Sequence, residues 1–265
     1  MALPPLVLQY HRLDGRFHLS GDTVPPALFR RHLQQLHRWG YRLATPGDWR
    51  QIQTGRFSPA TAFLTFDDGF ESVYRVALPE MRKFGGVGAV FIPTAFIGRT
   101  NTWDASFGVR FRHLNHHELQ ALHRAGWLIG SHGHTHRDLT RLAESEARQE
   151  VCTSVKLLAR LLGEPPFALA YPFGHWHPRL WPLLQRCGIK VAFAGPRGAA
   201  ASPWAIPRWG VYLIDLTLFS KIDPSLRSLE HRKLRWIHAF AHLSSWAMHR
   251  WPLLAWISRM QPPKP

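Results

Sequence analysis

Short apolar segments alternate with segments of helical hydrophobic spacing along most of the chain, and this alternation constrains the fold more than any other feature. The predicted strands are residues 6–10, 41–43, 62–66, 88–92, 127–129, 167–171 and 189–194. The helical patterns between them are residues 26–40, 49–53, 72–84, 116–126, Glu144–Leu162 and 178–187. A strand–helix repeat of this kind predicts a parallel sheet with its helices on the outside.

Two adjacent acids, Asp67 and Asp68, stand where the strand predicted at residues 62–66 ends, with Gly69 behind them. Successive strand residues point to opposite faces, but at a strand end followed by a glycine turn both carboxylates can line one pocket. Two carboxylates that close repel each other unless a cation or a shared proton lies between them. A simple Asp-capped turn is the alternative, and the pair alone does not decide between the two.

A histidine-rich loop follows the strand predicted at residues 127–129. His132 and His136 have the i, i+4 spacing that puts two imidazoles on one side of a helical turn, a geometry common at divalent metal sites, whereas His134 would point elsewhere. Such a loop by itself is more often polar surface. Together with a carboxylate from another strand end it forms a two-histidine, one-carboxylate set that leaves positions open for water and substrate. We therefore predict a hydrolytic metal site.

The composition is that of a globular protein with a large positive charge. With 265 residues and 45% hydrophobic content, the chain can bury the core of one α/β domain. The net charge of +16 calls for an anionic partner. Without a helix-turn-helix, zinc-finger or RNA-binding motif, nucleic acid is the weakest candidate partner. We interpret Cys152 and Cys187 as small buried hydrophobic residues rather than as a disulfide framework.

The two ends of the sequence give expectations about location. The N-terminus has no basic leader, its apolar stretch is interrupted by prolines, and no apolar run reaches the length of a spanning helix. We expect a cytoplasmic protein, or one bound peripherally to the inner face of the membrane. Residues 221–265 contain eight Lys or Arg, two Asp or Glu and four Trp. They fit a helix lying in an anionic membrane interface or one packed on the domain, and the abrupt change in composition favours the first slightly.

Three motifs occur in order along the chain: TFDDG at 65–69, HGHTH at 132–136 and AYPFG at 170–174, accompanied by YH at 10–11 and IPR at 206–208. Together they resemble the motifs of the polysaccharide deacetylases, the NodB-homology or carbohydrate esterase family 4 proteins. The resemblance is nearest to the poly-N-acetylglucosamine deacetylase branch. It implies a distorted (β/α)7 barrel over residues 1–212, and the change of composition indicates a basic, Trp-rich helical extension over residues 213–265.

The resemblance also implies roles for individual residues. Asp67 matches the general base, and a backbone N–H near Phe173 would stabilise the oxyanion. The cofactor would be a divalent metal ion, usually zinc, and the matching ligands are Asp68, His132 and His136. The residues that we expect to contact the substrate are Tyr171, Pro172 and Trp103.

Three departures from the family pattern affect this assignment. Gly133 stands where a Ser or Thr is usual, and Ala170 replaces the arginine that positions the base in many members. We hypothesise that Arg208 supplies that charge from another strand end. The histidine that usually donates the proton has no clear match. The candidate donors are His11, His175, His177 and His238.

The function implied by the resemblance is metal-dependent N-deacetylation of an N-acetylated sugar in a glycan or a lipid-linked glycan precursor. The same centre could serve an O-deacetylase or a deformylase, because a metal polarises any acyl carbonyl. A catalytically silent member that binds glycan or lipid is a further alternative. The retained acids and histidines argue against silence, whereas the loss of the usual arginine and acid argues mildly for it.

Overall fold

A computed structural model describes residues 3–15, 21–101, 110–196, 202–218 and 220. The strands among them are β1 (Leu6–Tyr10), β2 (Arg12–Leu13), β3 (Thr23–Val24), β4 (Arg42–Leu43), β5 (Thr61–Phe66), β6 (Ala89–Ile92), β7 (Leu128–Ser131), β8 (Ala168–Ala170), β9 (Val191–Ala194), β10 (Ile206–Pro207) and β11 (Trp209–Gly210). The α-helices are α1 (Pro26–Arg38), α2 (Pro46–Gln51), α3 (Leu78–Arg82), α4 (His116–Arg124), α5 (Glu144–Leu162) and α6 (Trp181–Arg186).

The main sheet is parallel throughout and curves almost into a closed barrel. Its order is β10-β9-β8-β7-β6-β5-β1-β11, with β4 beside β5. β10 and β11 are separated by Arg208 alone, yet β10 pairs with β9 and β11 pairs with β1. Together they occupy the seventh strand position of the barrel, and the predicted distorted (β/α)7 barrel is confirmed.

The strands and helices form for the reasons that the sequence indicates. Every residue of β5 is buried, as expected of a parallel strand covered on both faces. In α1 the buried residues Phe29, Leu33 and Leu36 recur at helical spacing and face the barrel. α5 has the predicted bounds, and Gly163 ends it in the left-handed conformation that glycine adopts without steric cost.

The helix predicted over residues 72–84 is interrupted. Residues Val73–Ala77 form a π-helical turn, and α3 begins only at Leu78, with Pro79 in its first turn. Pro79 has no N–H to donate to the preceding turn of a continuous α-helix, and its ring would clash there. A wider turn that lets the helix restart avoids both problems.

Cys152 and Cys187 form a disulfide bond between α5 and the end of α6, with their Cα atoms 5.3 Å apart. The interpretation of both as small buried hydrophobic residues without a bond is wrong. Consecutive outer helices of the barrel lie side by side, and this contact cannot be seen from the spacing of two isolated cysteines. Disulfides persist mainly in oxidising compartments, so the bond weighs against the cytoplasmic location expected above.

Removing this disulfide should cost stability. The bond spans 35 residues in the sequence, and closing a loop of that length stabilises a fold by about 3–4 kcal/mol in the chain-entropy model. We expect the Cys152→Ala/Cys187→Ala variant to melt roughly 10 °C below the wild type. Thermal unfolding followed by circular dichroism measures this difference. Dithiothreitol should lower the melting temperature of the wild type by a similar amount and leave the double variant unchanged. Two reactive thiols in unreduced, unfolded wild type would contradict the bond.

Part of the sequence prediction lies outside the described residues. Residues 221–265 and Trp103 are among these positions, so the domain boundary after residue 212 and the helical extension stay predictions. None of the helices in the described part of the chain is long and apolar enough to cross a membrane.

Candidate active site

Polar side chains from several strands converge at the carboxyl end of the barrel. Asp67 and Asp68 follow β5, His132 and His136 follow β7, and Arg208 lies between β10 and β11. Barrel enzymes carry their chemistry at this end because the loops after all of the parallel strands meet there.

The two adjacent acids separate because the backbone turns sharply between them. The N–H of Asp67 still donates to the carbonyl of Tyr10, as a continuation of the sheet (2.9 Å). Asp68 has a φ of +65°, a left-handed backbone conformation that residues other than glycine rarely adopt. Both carboxyls are buried, and they face different partners.

Asp67 forms a buried ion pair with Arg208. The guanidinium donates from Nη1 to Oδ1 at 2.7 Å and from Nη2 to Oδ2 at 2.8 Å, the two-bond geometry that arginine favours with carboxylates. Neither side chain is more than 2% exposed. Gln9 donates a further hydrogen bond to Oδ2 at 2.7 Å. Arg208 therefore contacts Asp67 from another strand end, and its role in positioning a catalytic base stays a prediction.

The surroundings of Asp67 keep it ionised. Burial by itself would raise the pKa of this carboxyl, but the charge of Arg208 and the hydrogen bonds that it donates outweigh that effect. The net result is a pKa well below the ordinary value for an aspartate. Asp67 is consequently a fixed, oriented carboxylate at neutral pH.

Asp68, His132 and His136 form a group of potential metal ligands within 4.8 Å of one another. Asp68 Oδ1 lies 3.3 Å from Nε2 of His136 and 3.6 Å from Nε2 of His132. Tetrahedral coordination with bonds of about 2.0–2.1 Å separates neighbouring ligands by about 3.3–3.4 Å. Both distances from Asp68 are close to this separation, and a carboxylate with two imidazoles is a donor set that suits a divalent ion such as zinc.

The protonation of the two histidines also fits metal binding. His132 Nδ1 donates to the carbonyl of Ala170 at 2.8 Å, which leaves the lone pair on Nε2 for a ligand. Burial, ahead of neighbouring charges, lowers the pKa of both His132 and His136. Metals bind neutral imidazole, so both side chains are held in the form that coordinates.

The local geometry predicted for the histidine loop is wrong even though the side chains converge. No helical turn spans residues 132–137, and His136 has a φ of +61°. His134 points elsewhere, as expected, with Nδ1 2.9 Å from the hydroxyl of Thr94. The left-handed backbone at His136, rather than helical periodicity, returns its imidazole toward His132.

Glu150 of α5 holds the histidine loop in this shape. Its carboxylate accepts the N–H groups of His134 (2.9 Å) and Thr135 (2.8 Å) and the hydroxyl of Thr135 (2.5 Å). Gly133 has a φ of +77°, and a Cβ at this position would lie 3.3 Å from Glu150 Oε2. Many family members have a Ser or Thr hydroxyl at the position of Gly133. Here the Glu150 carboxylate of α5 holds the loop instead.

The residues predicted to stabilise the oxyanion or to contact the substrate differ in their exposure. The ring of Phe173 is 53% exposed and 4.8 Å from the ring of His136. Tyr171 is buried, with its hydroxyl donating to the carbonyl of Trp204, and Pro172 is buried as well. Neither of these two side chains offers a surface to a substrate, because each packs inside the protein. Trp103 lies outside the described residues.

Three residues near the site had no assigned role in the sequence analysis. They are Gln9, His113 and Glu150. His113 lies 2.7 Å, through Nδ1, from the carbonyl of Asp68, and its ring stacks on Phe70. Burial lowers the pKa of His113 to about 4, so it is neutral and donates to that carbonyl. The contacts of Gln9, His113 and Glu150 each join elements that are far apart in the sequence, so no local sequence motif predicts them.

The sequence is similar to a known protein family and to several characterised or named proteins. A family model described as polysaccharide deacetylase matches residues 54–192, just over half of the chain. The candidate polysaccharide deacetylase YxkH of Bacillus subtilis (strain 168) is 25% identical over 74% of this chain and 66% of its own length. The poly-beta-1,6-N-acetyl-D-glucosamine N-deacetylase of Staphylococcus aureus (strain MRSA252) is 24% identical over 53% of this chain. The chain spans 49% of that relative.

Solved structures share the fold. Streptococcus pyogenes deacetylase PplD, in complex with acetate, superposes with a TM-score of 0.68 over 84% of this chain and 99% of its own, at 21% identity. IcaB from Ammonifex degensii superposes with a TM-score of 0.66 over 82% of this chain and 96% of its own, also at 21% identity. The matched family model covers all three motifs in full, and the chain belongs to the polysaccharide deacetylase family.

Proposed function

We propose that the protein is a metal-dependent N-deacetylase that uses water to remove acetyl groups from the N-acetylated sugars of a glycan or lipid-linked glycan precursor. The observation that carries this proposal is the division of labour between two adjacent acids. Asp68 forms a group of potential metal ligands with His132 and His136, while Asp67 forms an ion pair with Arg208. A hydrolytic centre needs both a ligand set and a base outside it. The end of β5 provides the base and one ligand, and the loop after β7 provides the other two ligands.

Asp67 acts as the general base in this proposal. A divalent ion, zinc by preference, held by Asp68, His132 and His136 would polarise the amide carbonyl and lower the pKa of water toward about 7. Such activation matters because the low pKa of Asp67 makes it a weak base on its own. Arg208 and Gln9 fix the carboxylate oxygens so that one of them can accept the proton as water attacks.

Two further groups complete the proposed reaction. The Phe173 N–H has no hydrogen-bond partner among the described residues and is available to the developing oxyanion. We assign the donation of a proton to the leaving amine to His11, because it directly follows Tyr10, whose carbonyl accepts the N–H of Asp67 at the end of β1. The Nδ1 of His11 is buried without a hydrogen-bond partner in the described part of the chain. His238 lies outside the described residues.

The relatives support the choice of substrate class. Staphylococcal enzymes named as poly-beta-1,6-N-acetyl-D-glucosamine N-deacetylases match half of this chain, so N-acetylglucosamine in a glycan is the first substrate to examine. Peripheral contact with an anionic membrane stays a proposal that rests on the composition of residues 221–265. A cytoplasmic or inner-face location is likewise a proposal, and the Cys152–Cys187 bond weighs against it.

Metal removal tests the function directly. We expect purified protein to release acetate from β-1,6-linked N-acetylglucosamine oligomers, to lose this activity after dialysis against a chelator, and to regain it with one equivalent of zinc. Acetate release and bound metal would be measured on the same samples. Activity that survives complete metal removal would contradict the proposal. Release only from O-acetylated sugars, or of formate instead of acetate, would assign the same centre to another acyl group.

A further inference from the structure

A groove on the outer side of the barrel takes no part in the chemistry proposed above. Its volume is about 790 Å³, and pockets that hold small ligands typically measure about 300–1,000 Å³. It lies between α3 and the end of α4, and residues just before β6 and β7 line it as well. None of its residues belongs to the potential ligand group of Asp68, His132 and His136. The groove is therefore a separate surface.

The groove exists because the helices on its two sides are held to their other neighbours. Arg30 of α1 forms an ion pair with Glu80 of α3 at 3.5 Å. Gln120 of α4 donates to the carbonyl of Leu161 of α5 at 3.2 Å. α3 is thus tied toward α1 and α4 toward α5, which leaves the space between α3 and α4 open.

One face of the helical segment that contains α3 forms a whole wall of the groove. Its lining residues come in neighbouring pairs at steps of four, a spacing that puts side chains on the same side of a helix. They are Tyr74, Arg75, Leu78, Pro79, Arg82 and Lys83. This wall therefore offers apolar and cationic groups side by side.

The charged residues that line the groove are all cations, namely Arg75, Arg82 and Lys83. Arg75 and Lys83 have partners on their own helix, Glu71 and Glu80, but their side chains are 69% and 62% exposed. Ion pairs that exposed are weak and exchange readily for a stronger anion. No ion pair of Arg82 occurs within the described part of the chain. An arginine can donate two N–H groups at once to a phosphate.

The deepest part of the groove is apolar but contains one unused donor. Trp127 is 2% exposed, and its ring packs against Phe66 with 5.6 Å between centroids. Its Nε1 is buried and has no hydrogen-bond partner among the described residues. Buried donors without an acceptor are rare in folded proteins. A ligand oxygen that reaches Trp127 can accept this hydrogen, while Leu78 and Val87 of the groove offer apolar contacts.

These features together select the chemistry of the occupant. A bare anion would leave the apolar wall uncovered, and a neutral hydrocarbon would leave the cations unused. The predicted helix of residues 221–265 is a poor match, because its eight Lys or Arg and two Asp or Glu would be repelled by the cations of the groove. An amphiphile with anionic oxygens and an apolar chain matches both parts of the surface.

We propose that this groove binds an anionic phospholipid, with the phosphate beside Arg82 and Lys83 and an acyl chain along Leu78 and Val87 toward Trp127. The site would attach the barrel to an anionic membrane by its outer side and leave the proposed active site free. It does not depend on residues 221–265. Nor does it depend on the deacetylase function, because the two sites share no residue.

Calorimetric titration of the full-length protein tests the site with three soluble probes. They are dihexanoyl phosphatidylglycerol and dihexanoyl phosphatidylcholine, both below their micelle concentrations, and inorganic phosphate. We expect phosphatidylglycerol to bind about tenfold or more tightly than the other two, because only it combines net negative charge with apolar chains. Arg82→Ala/Lys83→Ala should weaken its binding by about tenfold, the size of one lost hydrogen bond to a charged group.

A second variant tests the groove without changing its charge. Ala125 is exposed and lines the groove beside the end of α4, so Ala125→Trp places a large ring in the space meant for the lipid. This variant should also lose affinity for phosphatidylglycerol. Thermal unfolding should verify that each variant is folded at the titration temperature.

Arg124→Ala/Arg148→Ala is the matched control, because both arginines are exposed and neither lines the groove. It removes the same charge as the groove pair and should bind phosphatidylglycerol like the wild type. An equal loss in the two double variants would show attraction by net charge alone and exclude the site. Binding that neither groove variant weakens would exclude it too, since the lipid would then bind elsewhere. Phosphate that binds as tightly as the lipid, or a wild type that does not bind the lipid, would also overturn the proposal.

Discussion

Replacing Asp67 by asparagine should lower kcat/KM for deacetylation by about 10²- to 10⁴-fold, the range expected for loss of a positioned general base. Asparagine keeps the shape of the side chain but cannot accept the proton of the attacking water. Asp67 is outside the group of potential ligands formed by Asp68, His132 and His136. We therefore expect the variant to bind zinc with the same stoichiometry as the wild type. Acetate release and zinc content, measured on one preparation, check both statements.

Asp68→Asn is the matched control for this experiment. The two acids are adjacent and both are buried, but only Asp68 has its carboxylate within ligand distance of both histidines. The Asp68 variant should lose zinc affinity along with activity, whereas the Asp67 variant should lose activity alone. If Asp67→Asn also released the metal, Asp67 would be a ligand and the division of roles proposed here would be incorrect. Circular dichroism should verify that both variants are folded at the assay temperature.

The barrel and the convergence of the motifs were predictable because both follow from the order of elements. In a parallel sheet the residues after each strand meet at one end, whatever the loops do in detail. TFDDG, which spans the end of β5, and HGHTH, which follows β7, are therefore expected to lie close together once the alternation of strands and helices is recognised. Capping patterns also depend on local sequence alone, and Asn115 and Glu118, three residues apart, form a capping box at the start of α4.

Contacts between elements far apart in the sequence could not be predicted in the same way. Glu150 is one of several acids on α5, and only the three-dimensional structure shows that it faces the histidine loop while Glu144 and Glu146 face solvent. The disulfide of Cys152 with Cys187 depends on the packing of α5 against α6. The backbone at His136 is left-handed instead of helical, because the loop is fixed by hydrogen bonds that it donates to Glu150 of α5 and not by its own periodicity.

Arg208→Met should damage both stability and catalysis through one partner, Asp67. Truncating one member of a buried ion pair leaves the other charge without compensation, which typically costs about 3–5 kcal/mol. Arg208 is fully buried and also donates to the hydroxyl of Thr65 (3.1 Å), so we expect a loss of this size in chemical denaturation. We also expect kcat to fall by about 10²-fold, because a displaced base no longer meets the attacking water. Zinc content should stay unchanged.

Arg12→Met separates the effect on catalysis from the effect on stability. Arg12 is equally buried and carries its own ion pair, with Asp22 at 2.8 Å, but it does not pair with Asp67. Its loss should destabilise the fold by a comparable amount and leave kcat nearly intact at a temperature where the variant is folded. An equal loss of kcat in both variants would mean that Arg208 supports the barrel in general rather than the base in particular.

A double-mutant cycle decides how Arg208 acts. If its only catalytic role is to orient Asp67, then Asp67→Asn/Arg208→Met should be no less active than Asp67→Asn alone, because the group that Arg208 positions is already absent. The double variant should also be more stable than Arg208→Met, since removing both charges leaves no uncompensated ion in the interior. Additive losses of activity would instead show that Arg208 contacts the substrate or the developing oxyanion independently. The position of Arg208 between β10 and β11, where it meets Asp67 rather than solvent, makes the non-additive outcome the expected one.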